Sequence, residues 1–248
     1  MLILENINLA VNNNGESKEI LRDINISFDP NKFYAITGPN GGGKTSIAKI
    51  IMGIYKPTTG SIYLNNENIT DLEVSDRAEK GIAYAFQQPP RFKGLTVEDL
   101  LKIAQPDIDI LTMRKTIRDV GLCPEEYLQR DLGPALSGGE MKRIEIAQIL
   151  ARNTGVSIFD EPEAGVDLWT IQRLIFTIMQ NFKARKNSIA IVITHNENVL
   201  PMCDEVVVVE EGKIVAIGKP DEIWPLIRED IECKQRIDCQ GDMQYETQ

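Results

Sequence analysis

The chain has 248 residues, 42% of them hydrophobic and 26% charged, which is enough apolar content for one or two domains with a substantial core. Lys and Arg number 27 against 37 Asp and Glu, and the net charge of −10 repels nucleic acid and anionic lipid, so no nucleic-acid partner is expected through bulk charge. No apolar run is long enough to cross a bilayer, and the start "MLILENINLAVNNNGES" alternates like a strand without a basic leader, so the expected location is cytoplasmic.

In chain order, residues 2–11 and 20–29 read as strands separated by a polar turn at 12–17. "KFYAIT" is a third strand that stops at Gly38, and a helix pattern runs from 44 to 52. "KPTTG" is a turn before a short strand at 61–64. "SDRAEKG" predicts a short helix capped by Ser75 and closed by Gly81, followed by an apolar strand at 82–86. Residues 95–129 are helical in pattern, with Thr96 as the cap and Pro106 and Pro124 as breaks. After Gly139 comes a long helix, then the buried strand "VSIFD". A helix at 168–182, a strand at 188–194 and a helix at 197–202 follow. "DEVVVVEEGKIVAIG" reads as a hairpin turning at Glu211-Gly212, and residues 221–248 as a helix with a polar tail. Continuous apolar strands alternating with helices imply an α/β fold with a parallel sheet covered on both faces.

Cys123, Cys203, Cys233 and Cys239 form no CxxC pair. Free reduced thiols are the plain reading, and a metal or cluster ligand role for Cys233 and Cys239 is the alternative.

"GPNGGGKT" matches G-x-x-x-x-G-K-[ST] between a strand and a helix, where that motif must stand. Gly38, Pro39, Asn40, Gly41, Gly42 and Gly43, with Lys44, Thr45 and Ser46, would surround nucleotide phosphates with backbone N–H groups and a helix N-terminus. Lys44 would reach the β- and γ-phosphates, and the Thr45 hydroxyl would ligate Mg²⁺. "VSIFDEP" carries Asp160 and Glu161 to the end of a strand, where ligands bind in open α/β sheets. Asp160 would hold Mg²⁺, and Glu161 would accept a proton from the attacking water. His195, the single histidine, ends another buried strand and is a candidate γ-phosphate contact.

A P-loop, then "LSGGE", then an apolar strand ending in "DE", then "TH" resembles the ATP-binding cassette (ABC) ATPases, over residues 2 to about 217. The resemblance implies a P-loop NTPase, the ABC nucleotide-binding domain. This has a RecA-like core and an N-terminal antiparallel β subdomain (1–87 and 156–220), a helical subdomain (88–155) and a C-terminal helix and tail (221–248). It implies ATP and Mg²⁺ as cofactors. Gln87 in "YAFQQPP" becomes the Q-loop contact to Mg²⁺ and water, with Gln88 its inert neighbour, and Asp167 in "EAGVD" becomes the D-loop residue at a dimer interface. Two protomers would close head to tail on ATP, with Ser137, Gly138, Gly139 and Glu140 of one covering the phosphate held by Lys44 of the other. The family stacks an aromatic ring on adenine from the first hairpin. "LAVNNNGESKEI" has none, and Val11 is the residue placed to pack on the base.

Within the family, "SGGExKR" and "GIAYAFQQPP" resemble the SufC-like ATPases of iron–sulfur cluster assembly, which implies a soluble SufB/SufD-like scaffold as partner. Pro162 and "GLTVEDLL" resemble importer subunits, which implies a transmembrane permease instead, engaged near residues 87–92. The cluster-assembly reading is the leading expectation. Lys142 and Arg143, taken alone, read as a solvated helix face.

Overall fold

The computed structural model describes residues 1–13, 16–152 and 154–225. β1 (Leu2–Asn13) and β2 (Glu16–Phe28) pair as an antiparallel hairpin, so both strands extend further into the predicted turn than their apolar alternation indicates. β3 (Lys32–Thr37) and α1 (Lys44–Met52) fall where the sequence places them. β4 (Thr59–Leu64) and β5 (Glu67–Asn68) complete a four-stranded sheet ordered β2-β1-β4-β5.

α2 (Val74–Glu79) starts one residue before the predicted cap: Glu73 is the N-cap, and Ser75 lies inside the helix. The buried Arg77 sets this start. Its guanidinium donates to the carbonyls of Thr70 and Leu72 and draws the preceding turn against the helix. β6 (Ile82–Ala85) leads to α3 (Val97–Ala104), α4 (Ile110–Asp119), α5 (Pro124–Tyr127) and α6 (Gly138–Arg152). Thr96 caps α3 as expected, in a reciprocal capping box with Asp99. β7 (Val156–Asp160), α7 (Leu168–Lys183) and β8 (Ile189–Ile193) follow. The helix expected at 197–202 is only a 3₁₀ turn at Leu200–Met202, because Pro201 stands in it and the Asn196 side chain spends its oxygen on the Asn198 amide. β9 (Glu205–Glu210) and β10 (Lys213–Gly218) form the expected hairpin, with Glu211 and Gly212 both at positive φ, as a tight two-residue turn requires. Cys123 is exposed and Cys203 buried; Cys233 and Cys239, like the expected tail, lie outside the described residues.

The second sheet has six strands in the order β10-β9-β3-β8-β7-β6, parallel from β9 to β6. β6, β7 and β8 are buried along their whole length, so alternate residues serve two cores. Tyr34, Ile36, Ile158 and Ile191 face α1 and the antiparallel sheet, whereas Phe33, Ala35, Phe159 and Val192 face α7 and the helices between β6 and β7. Ile36, Ile193 and Asp160 stand in register on β3, β8 and β7. The segments that leave the C-terminal ends of β3, β8, β7 and β6 therefore emerge side by side. No helix among the described residues is long and apolar enough to cross a membrane.

Candidate functional site

Those four segments carry the predicted chemistry. The loop after β3 wraps over the end of β9: a Cβ on Gly38 would lie 2.1 Å from the Val209 carbonyl oxygen, so backbone must occupy that space. The loop delivers α1 with Gly43 at its N-cap and no side-chain cap, leaving the first N–H groups for an anion. Lys44 is buried and donates to the Gly38 and Pro39 carbonyls at 2.9 and 2.8 Å. Burial lowers its pKa, against the opposing fields of Glu161 and Asp160.

Thr45 Oγ1 donates to Asp160 Oδ1 at 3.1 Å, joining α1 to the end of β7. Asp160 is fully buried, and burial raises its pKa while hydrogen bonds from Tyr84 and Thr45 oppose the rise. Glu161 follows at φ 46°, a left-handed conformation that a non-glycine residue adopts at a cost of about 1–3 kcal/mol. Its carboxylate is met from both sides. Gln87 Nε2 donates to Oε2 at 2.6 Å, and His195 Nε2 stands 3.5 Å from Oε1. Gln87, not Gln88, thus reaches Glu161. A Mg²⁺ ion takes oxygen donors and is commonly held by one or two carboxylates with phosphate oxygens. The Thr45 hydroxyl, the Asp160 carboxylate and the free amide oxygen of Gln87 are such a donor set, and the residues fit the ion.

The "SGGE" segment is built separately. Ser137 and Glu140 form a capping box: the Glu140 amide donates to Ser137 Oγ at 3.3 Å, and the Ser137 amide donates to Glu140 Oε2 at 2.7 Å. Tyr127 donates to the other Glu140 oxygen, and these bonds hold the carboxyl pKa down at about 2. The two glycines differ. A Cβ on Gly139 would meet the Gly165 carbonyl oxygen at 2.6 Å, so α6 abuts the segment after β7 there. A Cβ on Gly138 would meet nothing within 4 Å. Asp167 caps α7 through Thr170 N, at 3.0 Å. Val11 is half-exposed on the first hairpin.

The solvated face expected at Lys142 and Arg143 fails at Lys142, whereas Arg143 stays partly exposed. Lys142 is fully buried and donates to the carbonyls of Phe86 and Asp160, the latter at 2.9 Å. Arg143 donates to the carbonyls of Gly139 and Gly121. Because α6 packs between α3, α4 and the sheet, Lys142 and Glu145 of its charged turn are buried, while Glu140 and Arg143 stay partly exposed. Three residues to which the sequence reading assigned no role also lie here. Tyr84 reads as core because it stands in an apolar strand, yet its hydroxyl donates to Asp160 Oδ2 at 2.5 Å. Glu145 accepts from the Phe86 amide, and Glu163 from the Thr194 hydroxyl. Only the acidic fourth position of "DEPEAG" hinted at Glu163.

A phosphate loop between β3 and α1, with an Asp-Glu pair ending a neighbouring parallel strand, defines a P-loop nucleotide hydrolase. More particularly, residues 21–164, over half the chain, match the ABC transporter family, and the chain belongs to that family. It is an ATP-hydrolysing ABC cassette, with ATP and Mg²⁺ as cofactors. It is 33% identical to the ABC transporter ATP-binding protein MJ0035 of Methanocaldococcus jannaschii, over 89% of this chain and 92% of that protein. It is 32% identical to the lipopolysaccharide export system ATP-binding protein LptB of Haemophilus influenzae, over 90% of this chain and 93% of that protein. In fold it is similar to the dimeric ATP-binding cassette MJ0796 bound to ADP and Pi, with a TM-score of 0.79 at 23% identity, covering 89% of this chain and 99% of that one.

Proposed function

We propose that the chain is the ATP-driven motor of a larger assembly and works as a head-to-tail pair. Lys44 and the Gly38–Ser46 backbone hold the phosphates, and Thr45, Asp160 and Gln87 would hold Mg²⁺, which would supply charge neutralisation for phosphoryl transfer. Glu161 takes the proton of the attacking water, and His195 contacts the γ-phosphate. The observation that carries this reading is Glu161 itself, held at positive φ with one carboxylate oxygen against Gln87 and the other facing His195. Ser137, Gly138, Gly139 and Glu140 complete the site of the second copy, and Asp167 lies at the interface between the two. The open space at Gly138 supports this: nothing in its own chain requires a glycine there.

For the partner, the transporter reading is favoured over the cluster-assembly one, because MJ0035 and LptB carry names of transporter ATP-binding subunits. The cargo-handling partner is then a transmembrane permease seated near residues 87–92, where Phe92 is exposed. The SufC-like reading, with a SufB/SufD-like scaffold, keeps "SGGExKR" in its favour. Affinity capture of the full chain with mass spectrometry separates them: a membrane protein supports the first and a soluble scaffold the second. Glu161→Gln, mixed with Mg²⁺-ATP and followed by light scattering, tests the catalytic part. Stable dimers are expected, and a variant that stays monomeric or keeps turning over ATP removes Glu161 as the base.

A further inference from the structure

Gln87 and His195 meet Glu161 from opposite sides, yet both side chains are exposed and neither residue belongs to a strand or helix. What fixes them is their backbone, and a carboxylate grips each one. Glu145 Oε1 accepts the Phe86 N–H at 2.9 Å, one residue before Gln87. Glu163 Oε1 accepts the His195 N–H at 3.2 Å and the Thr194 hydroxyl at 2.5 Å. The two arrangements match further: in each, Oε2 is buried without a hydrogen-bond partner, and these are the two such side-chain atoms among the described residues.

Leaving a buried acceptor unsatisfied costs about 1–3 kcal/mol, and more if it is charged. Packing alone gives no reason for two such oxygens, since apolar residues of similar volume often stabilise an interior better than buried ions do. The buried Lys142 supplies countercharge. Its Nζ lies 3.7 Å from Glu145 Oε2, it is also in the field of Glu163, and it donates to the Phe86 and Asp160 carbonyls. One cation and two carboxylates thus tie the starts of the segments after β6 and β8 to the end of β7, which carries Asp160.

We propose that Glu145 and Glu163 are positioning residues for ATP hydrolysis, holding the Phe86–Gln87 and Thr194–His195 backbone so that Gln87 and His195 converge on Glu161. The proposal rests on the reading of Glu161 as the base.

The test is Mg²⁺-ATP hydrolysis by the full chain. Glu145→Ala and Glu163→Ala should each lower kcat about 10-fold, the usual scale for a partner that orients an active-site ligand. KM for ATP should stay within about twofold, because neither residue touches the phosphate loop. Glu145→Gln and Glu163→Gln keep an acceptor oxygen at the same reach and should recover most of the loss. Glu145→Ala should add little loss to Gln87→Ala, and Glu163→Ala little to His195→Ala. Losses that multiply in full in those backgrounds, that glutamine does not relieve, or that fall on KM alone overturn the proposal. If an alanine variant does not fold, Glu145→Asp or Glu163→Asp makes the same comparison, keeping the charge while withdrawing the oxygen by one methylene. Glu161→Gln runs alongside. If it retains turnover, the base assignment fails. If it is inactive while the Glu145 and Glu163 variants hydrolyse like the native chain, positioning alone fails.

Discussion

The Tyr84 hydroxyl on β6 donates to Oδ2 of Asp160 on the adjacent β7 at 2.5 Å, while Thr45 takes the other carboxylate oxygen. Asp160 is fully buried, so these two bonds are what reconcile a carboxylate with that environment. Tyr84→Phe keeps the ring and its edge-to-face contact with Phe86 but leaves Oδ2 without its donor. The expected outcome is a loss of about 1–3 kcal/mol of stability in denaturant titration. The Mg²⁺ concentration for half-maximal ATP turnover should rise about 10-fold, since an outer partner of a metal ligand commonly matters on that scale.

Gly138 and Gly139 are adjacent but should respond oppositely. Gly139→Ala drives a methyl into the Gly165 carbonyl and should lower the thermal midpoint of the isolated chain. Gly138→Ala meets open space, and alanine in the first turn of α6 should leave that midpoint unchanged or slightly raised. The same Gly138→Ala change should prevent ATP-driven dimers in light scattering if a second copy's phosphate approaches there. Dimers of native affinity would place the glycine's purpose elsewhere.

Arg77 holds the end of the phosphate-loop helix. Its guanidinium is fully buried and donates to the carbonyls of Ile50, Ile51, Thr70 and Leu72. Two of these are at the C-terminal end of α1, where a cation also suits the helix dipole. Arg77→Met fills most of the volume but withdraws four hydrogen bonds, leaving the Ile50 carbonyl only the Gly53 N–H, and a destabilisation of about 3 kcal/mol is expected from chemical unfolding. A change below about 0.5 kcal/mol would show that water replaces the guanidinium, as at ordinary surface sites.

Glu140 predicts an acid dependence. Its folded pKa of about 2 lies below the ordinary value of 4.5, through the Tyr127 hydroxyl first and the Ser137 amide second. A depressed folded pKa gives stability that is present above 4.5 and lost as the pH falls toward about 2. Thermal midpoints measured between pH 6 and 2.5 should therefore fall less steeply for Glu140→Gln than for the native chain. Parallel curves would mean that the capping box is not coupled to folding.

Much of this site was legible in the chain itself. The phosphate loop is fixed by glycines and a lysine at local spacing, and Asp160, Glu161 and His195 are fixed by the ends of apolar strands. Gln87 followed from resemblance, and in the structure its side-chain amide donates to Glu161. What escaped was long-range. Lys142 and Arg143 look like a hydrated face in one dimension, because charge is the only local signal they give. Packing of α6 between α3, α4 and the sheet turns Lys142 and Glu145 inward.

The sequence by itself determined most of the element order, the parallel sheet and the residues that end β3, β7 and β8, because strand alternation and turn chemistry act over a few residues; it missed β5 and read a helix where only a 3₁₀ turn forms at Leu200–Met202. Only the tertiary structure decided which ends meet. The order β3-β8-β7-β6 brings Lys44, His195, Glu161 and Gln87 to one edge across more than 150 residues of chain. It also decided that Gly139 abuts the Gly165 carbonyl of its own chain while Gly138 meets nothing, since that depends on the position of Gly165 and not on anything beside the glycines in the sequence.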